Sequence, residues 1–180
     1  MRRFSFRPAL TIKGRKYKGL RGFAGKPFHP PLTDIPVAAY VFAALFDVLS
    51  AARDDAGMRD AATWLLAVGA VFGALSALTG WADWHRSSQV GTQARRTINA
   101  HAVVMITASV LVVLDLLSRA GDARTTSWPL ALLTVVAAGI TTVGATYGGS
   151  LVFDYGFNVE TAGDHPVWHE SETDVFPGQH

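Results

Sequence analysis

Four apolar stretches, at residues 35–52, 61–82, 98–118 and 128–150, alternate with short charged segments. A helix needs about 20 predominantly apolar residues, rising 1.5 Å each, to cross about 30 Å of hydrocarbon. Each stretch meets that length. Four such spans in a chain of 180 residues leave little for a water-soluble domain. The expected fold is therefore all-α, an integral membrane four-helix bundle, with the bilayer as solvent.

Charge divides the chain into a basic head and an acidic tail. Nine of the sixteen Lys and Arg precede residue 27, whereas the last thirty residues hold six acids and no Lys or Arg. A basic head is a feature of nucleic-acid-binding proteins, but positive charge beside a first span is the ordinary retention signal of membrane proteins. Nucleic acid is not an expected partner. The 83–96 linker carries Arg86, Arg95 and Arg96 against Asp83, while the other two loops are nearly balanced. Both termini and the 83–96 linker are thus expected in the cytoplasm of a bacterium, with the protein in its plasma (inner) membrane. The long charged head does not match a cleavable signal peptide, so the first span reads as an uncleaved anchor.

The absence of cysteine from the whole chain excludes disulfides, a thiolate nucleophile and Cys-ligated zinc, iron–sulfur or c-type haem centres. Residues 1–28 read as a juxtamembrane arm drawn to anionic lipid headgroups, at about 1 kcal/mol per basic residue. Residues 29–155 form the four-span domain. Residues 156–180 read as an acidic, partly disordered tail. Its His165 and His169, four apart, would suit a metal, but Pro166 disfavours helix at His165.

Asp34 before Pro36 reads as the N-cap of the first helix. Trp81 and Trp84 suit an interfacial belt at the end of the second. LFDVLSAAR and VLDLLSRAG align Asp47 with Asp115, and each precedes a helix with a small-xxx-small motif, Gly69/Gly73 or Gly144/Gly148. Two tandem αα-hairpin repeats would explain this. These glycines, with Gly149, are expected to pack helices closely within the bundle, because lipid tails supply no hydrophobic drive for association. An oligomer interface is the rarer use of such motifs.

Charged groups inside spans are costly, about 2.5–3.5 kcal/mol at the centre, so their depth is informative. Asp47 and Asp115 fall in the outer half, as intramembrane acids. His29, Asp34, Asp83, His85, His101 and Asp154 gather near the cytoplasmic boundary, beside Trp84. Three readings compete there. A polar network with capping carboxylates would fix helix register. A b-type haem ligated by His101 with His29 or His85 would make the chain an electron carrier. A proton or ion relay joining this cluster to Asp47 and Asp115 would make it a small transporter, although the residues between are mostly apolar.

HPPLTDIP entering the first span, GWADW closing the second, His101 opening the third and GGSLVFDYGFNV closing the fourth resemble an uncharacterised bacterial four-helix membrane domain. The resemblance covers about residues 25–160. Members are often fused to, or encoded beside, Rieske iron–sulfur proteins, so it implies a membrane-associated redox partner. It points to His29, Asp83, Trp84, His101, Gly148 and Gly149. Many members carry a second histidine where this chain has Asp34. Together these features lead to an expected accessory or anchoring subunit that docks a redox or other partner at its cytoplasmic face. No nucleophile–base pair or phosphate-binding glycine loop supports an enzyme.

Overall fold

The computed structural model describes residues 20, 27–121 and 123–159. The basic arm, apart from Leu20, Pro27 and Phe28, and the tail from residue 160, with His165 and His169, lie outside the described residues. Four α-helices make up the rest: α1 (His29–Arg53), α2 (Ala56–Ser87), α3 (Gln93–Ser118) and α4 (Trp128–Phe153). All four are long and apolar enough to cross a membrane.

The helices run beyond their apolar stretches. α1 begins at His29, not at Asp34, with proline in its first two positions. Pro30 and Pro31 fall where a missing N–H is harmless, since the first turn has no intrahelical acceptors to satisfy. Asp34 is an exposed residue inside the helix rather than its cap. α2 begins at Ala56, earlier than the apolar run, because the Asp55 carboxylate accepts from Gly57 and Met58 N–H. Asp54, in the left-handed conformation at φ 55°, closes α1 and lets two residues join α1 to α2. Asp is among the few residues that adopt this conformation locally.

Successive helices pack antiparallel. α1 packs most extensively on α2, and α3 on α4; α1 also packs on α4, whereas α2 touches α3 least. Helices α1 and α3 stand diagonally across the bundle and make no direct packing contact. The result is two αα-hairpins joined mainly along α1 and α4. The core is built from small residues, Ala39, Ala43, Ala62, Ala108, Ala131 and Ala137. Large apolar side chains such as Val71, Leu78, Ile106 and Leu132 point outward. This inside-out distribution suits a lipid solvent, in which close backbone approach rather than apolar burial holds helices together.

Glycines set the closest approaches. A Cβ on Gly69 would lie 2.5 Å from Tyr40 Cε1, and one on Gly73 would lie 2.9 Å from Tyr40 Oη. Tyr40 therefore lies across a notch in α2. In the other hairpin Met105 fills the space that a side chain at Gly144 would need. Gly149 meets only Phe153 of its own helix, at the limit of contact.

Candidate functional site: two polar layers at opposite ends

Polar side chains inside the bundle fall into two layers that differ in kind. The layer at the α1–α2 and α3–α4 turns is a closed ionic network. Arg119 donates Nε–H to Asp115 Oδ1 at 2.7 Å and Nη2–H to Asp47 Oδ2 at 2.5 Å. Its Nη1 reaches Asp47 Oδ1 and Thr63 Oγ1, both at 3.1 Å. Thr134 Oγ1 lies 2.6 Å from Asp47 Oδ2 and 2.5 Å from Asp115 Oδ2, and Thr126 donates to Asp47 Oδ1 at 2.8 Å. Asp47 and Asp115 are fully buried, and the Arg119 side chain is only 3% exposed. Burial lowers the pKa of Arg119, but hydrogen bonds and charges from Asp47 and Asp115 outweigh it, so the net shift is upward. One guanidinium thus gathers groups from all four helices and the α3–α4 connection.

This layer was half visible in the sequence. The two acids stood out as intramembrane charges, but Arg119 reads as a loop charge balancing Asp122. The missed signal was spacing: Asp115 and Arg119 are four apart, so they share a helix face. At the depth of Thr63 the network also lies beside Trp64, a 73% exposed aromatic. Tryptophan favours the membrane interface, and an exposed tryptophan at this level is in keeping with acids near the end of the spans.

The opposite layer lies where α1 and α3 begin and α2 and α4 end. His29 Nδ1 lies 2.9 Å from the Ser76 carbonyl and 3.1 Å from Thr79 Oγ1. His101 Nδ1 lies 2.7 Å from the Gly144 carbonyl. A carbonyl only accepts, so each histidine carries a proton on Nδ1 and, in its neutral form, a lone pair on Nε2. Each ring also rests on a glycine. A Cβ would come within 2.8 Å of His29 Cε1 at Gly80, and within 3.3 Å of His101 Cε1 at Gly148. Both rings are half-buried. Asp83, buried in α2, and His101 both act electrostatically on His29, which brings the three into one neighbourhood.

The remaining expected members lie at the same end but outside this buried group. His85 is exposed and stacks on Trp81, centroids 5.8 Å apart and planes 9° from parallel. Asp154 is exposed at the C-cap of α4. Trp84 donates to Asn99 Oδ1 at 2.9 Å, and the Arg95 guanidinium lies 3.7 Å over its ring. Trp84 thus joins α2 to α3 across their short connection, a role that sequence alone did not suggest.

The two histidine sites are equivalent by chain position. A shift of 68 residues carries Ser76 onto Gly144, Gly80 onto Gly148 and Asp47 onto Asp115. In this register Gly69 and Gly73 do not fall on Gly144 and Gly148. Gly69 and Gly73 serve Tyr40, and the partners of Gly144 and Gly148 lie two turns further along α2. The histidines themselves depart from the shift by four residues, one helical turn, yet reach equivalent carbonyls.

The entire bundle, from before His29 to beyond Asp154, falls in one family match, to a predicted membrane protein family, DUF2231, over residues 25–161. The chain belongs to the DUF2231 family. Comparison with curated proteins and with solved structures found no match.

Proposed function

We propose that this DUF2231 chain is an integral membrane accessory subunit that docks a redox partner at its histidine-bearing end. One observation carries the reading: the two polar layers are unequal. Every carboxylate oxygen of Asp47 and Asp115 has a partner in the closed layer, which supports a structural role for that end. In the histidine layer, two half-buried rings are held through Nδ1, with no hydrogen bond to Nε2 among the described residues, and an exposed Trp81–His85 stack adjoins them. Groups held in place, with one nitrogen unengaged among the described residues, are what a working face supplies. The charge pattern favours the cytoplasm for that face, and the resemblance to domains found beside Rieske proteins supports a redox partner.

The closed layer also weighs against a proton or ion pathway. Its two acids share one guanidinium and are further held by the Thr126 and Thr134 hydroxyls, and Leu66, Val112, Ala43 and Ala137 form the core between the layers.

Photo-crosslinking in native membranes tests the docking reading. A crosslinker at Val90 or Arg96 is expected to capture a partner that contains iron or another redox centre by metal analysis. The same crosslinker at Gly121 or Arg124 is expected to capture none. Capture from the Arg119 end alone would overturn the assignment.

A further inference from the structure

The donor set of the histidine layer fits one class of ligand. His29 and His101 present neutral imidazoles whose Nδ1–H is fixed on a carbonyl, the arrangement by which metal-ligating histidines are oriented. Among the described residues no hydrogen bond engages either Nε2. Two imidazoles do not complete a zinc site, which takes three or four protein ligands. No group of three or more His, Cys, Asp or Glu able to hold a metal ion occurs among the described residues. Two imidazoles are, however, the axial complement of an iron that brings four nitrogens of its own in a porphyrin.

We propose that His29 and His101 are the paired axial ligands of a non-covalently bound b-type haem held between the two hairpins. The proposal rests on reading this end as the working face, and it names the group that works there. The 68-residue equivalence is its strongest support. Ser76 and Gly144 offer equivalent carbonyls, Gly80 and Gly148 equivalent glycine seats, and the one-turn offset of the histidines is absorbed so that both rings reach them. The supporting helices also suit a flat ligand. α1 and α3 stand diagonally without direct packing contact, each backed by its own hairpin partner, while Trp84, Asn99 and Arg95 tie α2 to α3 at the edge of this layer. Arg86 and Arg96 are exposed at this end, where haem propionates require cations. A bound haem would supply one-electron chemistry. The residues of the chain supply ligation, ring orientation and the low-dielectric surroundings that set its potential.

The test is a titration of the detergent-purified full chain with hemin, the ferric porphyrin, followed by absorption and by reduction with dithionite. The expected result is one hemin per chain, a six-coordinate low-spin spectrum, and no change when carbon monoxide is added to the reduced protein. His29→Ala and His101→Ala are each expected to weaken hemin binding by at least about tenfold and to make the residual complex bind carbon monoxide. Free imidazole restoring the six-coordinate spectrum in either variant excludes a mere folding defect. His85→Ala is expected to behave as wild type. The proposal is overturned if wild type binds no stoichiometric hemin, if its reduced complex binds carbon monoxide, or if the His29/His101 double variant binds as wild type does. Absent haem with crosslinks at Val90 and Arg96 intact would sink this proposal alone; misplaced crosslinks would sink the docking reading.

Discussion

Arg119 holds two carboxylates that would otherwise face each other without water. Removing it leaves Asp47 and Asp115 buried and uncompensated, a change that costs about 3–5 kcal/mol where one partner of a buried ion pair is lost. Arg119→Ala is therefore expected to lower unfolding stability in detergent by that amount, measured by denaturant titration. Thr126→Ala removes a single hydroxyl donor and should cost about 1–2 kcal/mol. If the two variants proved equally mild, the network would not be the clasp its geometry implies. Tyr40 makes the opposite case. Its hydroxyl is buried and lacks a hydrogen-bond partner among the described residues. A buried donor without a partner destabilises, so Tyr40→Phe is expected to melt at or above wild type. Neither role can be read from sequence, where Arg119 belongs to a loop and Tyr40 to an apolar run. Both depend on which face of a helix meets which neighbour.

At the scale of helices, approach distance decides. Gly69 lets the Tyr40 ring lie against α2, and a Cβ there meets both Cε1 and Cδ1 within 2.9 Å. An aromatic ring across a helix interface cannot shift freely. Gly69→Ala should therefore cost about 1–3 kcal/mol by overpacking. Adding Tyr40→Leu should recover part of that loss, since contacting residues do not behave additively. Gly139→Ala, with nothing within 4 Å of its Cβ, should be neutral or stabilise by up to about 1 kcal/mol. Thermal melts of these three variants decide between approach distance and general glycine content. The helices themselves were legible because about 20 apolar residues in a row have one stable form in a bilayer. Their ends were less so: Pro36 near Asp34 suggested a start, while the Pro30–Pro31 pair one turn earlier made the actual one. The glycines could be recognised as packing residues, but motif spacing alone does not say what packs on them. Tyr40 occupies one pair, and the equivalence lies with Ser76 and Gly80.

For the molecule as a whole, depth links the two layers to the membrane. Trp64 and Trp81 are exposed on α2 and seventeen residues apart, about 26 Å along a helix rising 1.5 Å per residue. That is close to the thickness of a hydrocarbon core, so both tryptophans sit at interfaces. The ionic network lies at the level of Trp64, and the His29 seat at Gly80 is next to Trp81. Each layer thus marks one boundary, and only small or apolar side chains need fill the interval. This is why charge in the loops and charge near the span ends carry the same orientation signal. Because the chain has no cysteine, single thiols can test that orientation directly. Val90→Cys, at the histidine end, should react with a membrane-impermeant maleimide only after cells are broken or vesicles inverted. Ala123→Cys, at the Arg119 end, should react in intact cells. Ala38→Cys, exposed on α1 between the layers, faces lipid and should react in neither, because a maleimide requires the thiolate and hydrocarbon suppresses it. Labelling of Val90→Cys in intact cells would reverse the topology and move the working face to the outside. Labelling of Ala38→Cys from either side would mean that water reaches the interval, and a pathway through the bundle would then have to be reconsidered.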